Sequence, residues 1–274
     1  MRKLTFGVLF LITLFTFSCQ QRHDNKQSDL MKDKTAKTDT VVKMENGRIE
    51  LLVNLNGGSY FDFHLKELPL NPINFHGTKP GEHIFMGHFL CFDRWGPPSA
   101  AEKANGFMHH GEVNTETWEL LTAPQLNNGR TDCSMMCELP MAGLQLTRKI
   151  ELSTDEPVFF VTEEIKNLNR NGRMFNIVQH VSIAPPFLDK STLIDNNTLQ
   201  GFEDRNDGSL NQDELILKWP QVEHKGEKIT LRQFEVSWPE VSSFRFGQDE
   251  EYGWVTACNP SKNLMLGYIW KTID

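Results

Sequence analysis

Basic charge is in deficit along this 274-residue chain. Lysine and arginine number 28 against 36 aspartates and glutamates, for a net charge of −8. No basic stripe is visible, which argues against a nucleic-acid partner. Cysteine is scarce too, with five in all. Apart from Cys19 near the N-terminus, these are Cys91, Cys133, Cys137 and Cys258. Such an even set permits disulfides outside the cytoplasm without choosing a pairing. Cys133 and Cys137 face each other only if the backbone bends between them, and mostly buried thiols are expected. An apolar run of helical period is missing at any useful length, and so is an internal repeat. Standard zinc spacing is absent as well. His83, His88, Cys91, His109, His110 and Glu112 supply ligand types but match no common pattern, so no metal and no cofactor are expected.

Long apolar runs are lacking except at the start. Arg2 and Lys3 precede an apolar stretch from Leu4 to Phe17, followed by Ser18-Cys19. The stretch is short for a membrane span and sits where a signal peptide sits. A cysteine at the cleavage point looks like a bacterial lipoprotein signal, although Thr16 and Phe17 depart from a leucine-rich lipobox. The expected organisation is a signal peptide over residues 1–18 and a flexible tether over 19–43, lipid-modified at Cys19. A folded domain follows over 44–274. The tether is polar and nearly free of large apolar residues. The mature protein is then expected in the cell envelope, on the periplasmic face or the cell surface, held to a membrane through its lipid.

What is present is aromatic and strand-like. Hydrophobic residues make up 39% of the chain, and 19 Phe with 6 Trp suffice for a substantial core. Arg48–Asn54 and Ser59–Leu65 flank Asn56-Gly57-Gly58, a hairpin signal. Leu144–Leu152, Val158–Asn167 and Met174–Ile183 alternate or run apolar between turn residues such as Asp155-Glu156-Pro157 and Asn169-Arg170-Asn171-Gly172. Ser191–Gln221 is polar and reads as a surface excursion. Strand character returns at Ile229–Trp238, Tyr252–Ala257 and Leu264–Lys271. The fold class is all-β, an antiparallel sandwich or large sheet pair. A terminal apolar strand stopping so near the end suggests either a sheet edge or a truncated record.

The most chemically loaded stretch is Gly106 to Leu120. His109 and His110 adjoin Gly111 and Glu112, ahead of a segment ending at Trp118 that alternates like a strand. Adjacent side chains on extended backbone point to opposite faces, so one histidine at most faces a given pocket. Histidine exchanges protons near neutral pH, and Gly111 lets backbone or ligand come close. The plainer alternative is a loop histidine capping a strand. Upstream, Asp93-Arg94-Trp95-Gly96 ends an apolar run and offers a guanidinium and a flat aromatic face for a ligand. Its alternative is a local Asp93–Arg94 ion pair with Trp95 as a lid.

The order of these pieces resembles the galactose mutarotase-like superfamily, which includes the aldose 1-epimerases. The pieces are the Gly57-Gly58 hairpin, His110-Gly111 before Trp118, Leu146–Leu152, Glu164–Asn169, and His180 ahead of Pro185-Pro186. The likeness spans roughly residues 45–270. It implies a large β-supersandwich with a concave carbohydrate site, and an isomerase working at the anomeric carbon. By that resemblance His110 and His180 are the two catalytic histidines, with His180 donating to the ring oxygen and His110 holding a neighbouring hydroxyl. Arg94, with Trp95, Glu112 and His109 beside it, binds the sugar. The family's base is a C-terminal glutamate, whereas Asp274 is the one carboxylate after Tyr268. Three readings follow: the base lies beyond the chain's end, Glu112 replaces it, or the protein binds glycans without turnover. A histidine-ligated metal protein is a further alternative. The expected partners are a sugar or glycan and a membrane.

Overall fold

The computed structural model describes residues 11–12, 40–77, 85–203, 217–224, 227–233, 242–247 and 250–272. The leader and tether, residues 1–43, lie outside them except for 11–12 and 40–43, and so does His83. The described residues are almost entirely antiparallel strand. Nine strands frame the site: β1 (Val41–Glu45), β2 (Ile49–Asn54), β3 (Tyr60–Leu65), β4 (His88–Phe92), β5 (Glu119–Asn127), β6 (Arg130–Leu139), β7 (Leu144–Leu152), β8 (Phe159–Asn167) and β9 (Ile177–Val181).

They form two sheets. The first has the order β9-β4-β3-β2-β1, and the second runs β5-β6-β7-β8. A three-stranded sheet joins Leu193–Asn196, Tyr252–Asn259 and Leu264–Lys271. A further sheet gathers short strands between Gln200 and Arg245, with Leu11–Ile12 against Ser242–Ser243 at its edge.

Alternation sets which side chains meet. On β2, Ile49, Leu51 and Val53 are fully buried. On β7 the same holds for Leu144, Leu146, Ile150 and Leu152. These rows share one core with Trp118, and burying each such side chain contributes roughly 1.5–3 kcal/mol. The β2–β3 hairpin turns through Gly57 and Gly58, both at positive φ (86° and 68°). A Cβ on Gly58 would stand 2.4 Å from Trp118 Nε1, so the turn needs glycine for space as well as for conformation.

One inward position on β7 is not apolar. Arg148 is fully buried and reaches Glu163 on β8, with Nη2 2.7 Å and Nε 2.8 Å from Oε1. The other Glu163 oxygen accepts from Gln179 Nε2 at 2.9 Å. Gln179 Oε1 lies 2.8 Å from His88 Nε2. The guanidinium also donates to the Gly58 carbonyl and lies over the rings of Tyr60 and Trp118. This chain of polar contacts crosses from the second sheet to the first. It ties β7 and β8 to β4 and β9 where an apolar contact would leave the lateral position free.

Two expectations need correction. The residues before Trp118 are not a strand: Val113–Thr115 form a 3₁₀ turn, and β5 begins only at Glu119. Buried Asn114 explains the turn, because its Nδ2 donates to the Leu90 carbonyl at 2.7 Å and pulls the segment onto β4. The stretch 191–221 is not wholly a surface excursion either. Leu193–Asn196 pairs with Val255–Cys258, and Gln200–Gly201 pairs with Leu217–Lys218.

Candidate functional site

The site is built on the outer face of the first sheet. Along β4, His88, Leu90 and Phe92 alternate with Phe89 and Cys91. Leu90 and Phe92 belong to the main core, whereas Phe89 and Cys91 join a separate cluster with Phe85, Phe75, Trp95 and Val178. On β9 the register sets His180 opposite Phe89. The two rings stack with centroids 4.3 Å apart and planes 14° from parallel.

His110 arrives from a loop. Beyond Phe92 the chain turns at Asp93 (φ 61°) and Gly96 (φ 76°) and then forms a short helix, Ala100–Ala104. Ser99 and Glu102 close a capping box at its start. The chain then folds back, so that His110 N donates to Gly96 O (3.1 Å) and Phe92 N donates to His110 O (3.2 Å). Gly111 takes φ +84°, and a Cβ there would stand 1.9 Å from the Phe92 carbonyl oxygen. The His-Gly pair is therefore a requirement of close backbone approach. His110 itself adopts φ 64°, a left-handed conformation uncommon for a side-chain-bearing residue.

The result is a pair of imidazoles from segments far apart in sequence. The His110 and His180 ring centroids are 5.2 Å apart, inclined at 63°. Phe85 and Phe89 edge the His110 ring at 5.2 and 5.5 Å. Both histidines are buried. Burial lowers the His110 pKa from 6.5 to about 2, with His109 and His180 adding to the effect. Burial likewise lowers that of His180 to about 4, opposed by a hydrogen bond to its own backbone and assisted by His109. Both rings are uncharged at neutral pH. Gly96 N donates to His110 Nδ1 at 3.0 Å. His180 Nδ1 lies 3.1 Å from Ser182 Oγ, while its Nε2 is buried with no hydrogen-bond partner among the described residues.

The remaining sequence-derived candidates divide. His109 is exposed, yet its ring contacts that of His110 at 4.0 Å. The two neighbours do not point to opposite faces, because the backbone between them is a turn and not extended strand. Trp95 is half-buried in the Phe85–Phe89 cluster, with Nε1 enclosed and unpartnered among the described residues. Arg94 donates to the Pro97 carbonyl (2.8 Å) and stands 3.6 Å from Glu102. Asp93 pairs with Arg173 instead of Arg94. Glu112 is buried, and its two oxygens accept from Met141 N (2.7 Å) and Ala142 N (3.1 Å), fastening the loop to the β6–β7 turn. Among the described residues no group of three His, Cys, Asp or Glu side chains is placed to hold a metal ion. Phe89, Gly96 and Ser182 were not singled out from sequence. The opposition of Phe89 and His180 depends on strand register, which no local pattern reveals.

No protein-family model matches the sequence, and no curated protein matches it. Among solved structures the chain is similar to a candidate aldose 1-epimerase of Escherichia coli K12, at 13% identity over 81% of this chain and 74% of that one, with a TM-score of 0.48. It is also similar to the Slr1438 protein of Synechocystis sp. PCC 6803, at 13% identity over 88% of this chain and 85% of that one, with a TM-score of 0.45.

Proposed function

We propose that this protein interacts with carbohydrate in the cell envelope, anchored by lipid on Cys19, and exchanges protons at the anomeric centre of a sugar in the manner of an aldose 1-epimerase. The observation that carries this reading is the His110–His180 pair, whose ring centroids lie 5.2 Å apart on a sheet face outside the main core. Uncharged imidazoles suit uncharged hydroxyl groups, and the Phe85 and Phe89 rings beside them offer apolar surface to a sugar ring.

The chemistry is compact. In ring opening the anomeric hydroxyl gives up its proton and its oxygen becomes a carbonyl. The bond from that carbon to the ring oxygen breaks, and the ring oxygen keeps the electron pair and gains a proton. Closure on the other face reverses each event. His180 is the proton-exchanging group and His110 the hydrogen-bonding group. A positioned acid–base group of this kind contributes about 10²–10⁴-fold.

A second reading, glycan binding without turnover, is favoured by Glu112, whose oxygens are both occupied by backbone amides. Freshly dissolved α-D-glucose and α-D-galactose distinguish the two when anomer interconversion is followed by polarimetry. Turnover that falls about 100-fold or more in His180→Ala supports the catalytic role. Calorimetric binding with no acceleration by the wild type would contradict it and leave a binding module. For the anchor, Cys19→Ser is expected to move the protein from the membrane fraction to the soluble fraction. Unchanged membrane retention would overturn that part.

A further inference from the structure

The two histidines are not equivalent, and the groups behind them fix the difference. A backbone N–H can only donate. Gly96 N aims its hydrogen at Nδ1 of His110 across 3.0 Å, so that nitrogen must offer its lone pair. In an uncharged ring the proton then sits on Nε2. A carbonyl oxygen, by contrast, can only accept. The hydrogen bond between the His180 ring and the backbone of His180 itself raises the proton affinity of the ring, as a bond to an acceptor does. Because Nε2 has no partner among the described residues, Nδ1 is the ring nitrogen that makes it, beside Ser182 Oγ at 3.1 Å. Nδ1 therefore carries the proton, and the serine oxygen is its second acceptor.

We infer that Gly96 and Ser182 lock the two histidines in opposite tautomers, so that the pair presents one donor, His110 Nε2–H, and one bare acceptor, the lone pair of His180 Nε2. The inference rests on the sugar reading and sharpens it. The ligand class such a pair fits has a hydroxyl that can donate next to an oxygen that can accept. A cyclic hemiacetal has both on one carbon: the anomeric hydroxyl and the ring oxygen. His180 receives the hydroxyl proton, and His110 donates to the oxygen on which negative charge develops. Proton exchange at His180 thus begins with acceptance, and the imidazolium so formed returns the proton to the ring oxygen, leaving every group in its starting charge state. Ser182 is a positioning residue: it touches no reacting atom and acts by holding a proton on the far side of the ring. Phe89, stacked on the same ring, limits its rotation.

The test is two-bond ¹H–¹⁵N spectroscopy of full-length protein labelled at the histidine ring nitrogens, at neutral pH and without sugar. Signals are assigned with His110→Gln and His180→Gln. The expected result is a protonated Nε2 on His110 and a protonated Nδ1 on His180. A proton on Nε2 of His180 overturns the assignment, while sugar-dependent activity in the same protein would leave the broader reading standing. Conversely, the expected tautomers in a protein that neither binds nor turns over glucose or galactose uphold the lock and sink the sugar reading. Ser182→Ala should convert the His180 signals to a tautomer mixture and lower turnover through kcat more than KM. Ser182→Thr should restore both. An unchanged His180 tautomer in Ser182→Ala, in a variant shown to be folded by its unaltered His110 signals, would remove Ser182 from the scheme.

Discussion

The backbone amide of Gly96 donates to Nδ1 of His110 across 3.0 Å, and His110 N donates back to the Gly96 carbonyl at 3.1 Å. This reciprocal clasp holds the loop over residues 93–112 as a support for one imidazole. It explains why a buried histidine tolerates a left-handed φ of 64°. Strain of that order, about 1–3 kcal/mol, persists when the surroundings over-determine the conformation.

Gly111 is the most sensitive point of that loop. Alanine there must accept a positive φ and a methyl group 1.9 Å from the Phe92 carbonyl oxygen. Neither strand β4 nor the loop has room to yield. Gly111→Ala is expected to destabilise the protein by roughly 3 kcal/mol or more, read as a lower urea midpoint. A change under about 0.5 kcal/mol would mean that the loop repacks freely.

Acid should loosen the fold before any carboxylate titrates. His110, His88 and His180 have pKa values lowered from 6.5 to about 2, about 3 and about 4, with burial the leading cause in each. Unfolded, the same rings take up protons near pH 6.5. Between that value and the folded-state values the unfolded chain binds more protons, so stability falls as pH drops. Each ring contributes about 1.4 kcal/mol per pH unit well inside the window. Stability should be flat in this respect above pH 6.5 and decline between pH 6 and pH 4. His180→Gln should make that decline shallower, measured by urea unfolding at several pH values.

The buried Arg148–Glu163 pair is expected to behave asymmetrically. Removing one partner leaves a charge without compensation, so Arg148→Met should cost about 3–5 kcal/mol. Pairing it with Glu163→Gln should recover a large part of the loss, because the amide still meets Gln179 and no lone charge remains. A double-mutant cycle reads the coupling, and strictly additive losses would show that the two side chains do not depend on each other.

The thiols are expected to be silent in the native protein. Cys133 and Cys137 lie on one straight strand, β6, and all four described cysteines are unpaired. Burial is the chief reason the Cys133 and Cys137 thiols are pushed up to about 12. Ellman's reagent at pH 8 should leave both unmodified until denaturant is added, since the thiolate is the reactive form. Rapid modification of either in the folded state would contradict their burial.

Much of the fold was legible because alternation is a local property. The hairpin around Gly57-Gly58, the strand Leu144–Leu152 and the last strand Leu264–Lys271 all stand where their patterns place them. An arginine in an inward position was visible in the row Leu144, Leu146, Arg148, Ile150, Leu152. Its partners were not, since Glu163 and Gln179 belong to other strands and meet it only through register. The loop histidines show the opposite limit. Reasoning from extended backbone put His109 and His110 on opposite faces, whereas positive φ at His110 and Gly111 brings their rings within 4.0 Å. The meeting of His110 with His180 was carried by the family resemblance, and no spacing along the chain encodes it.

The most direct measurement is a titration of ring-labelled protein with D-galactose and with D-glucose, following each histidine by ¹H–¹⁵N spectra. If a sugar occupies the space before the imidazole pair, the signals of His110 and His180 move together along one saturation curve. Those of His64, which is bonded to Asp62 at 2.6 Å, stay in place. Movement at neither ring up to saturating concentrations of both sugars, or movement at His64 alone, would contradict the claim that these two imidazoles form a carbohydrate site.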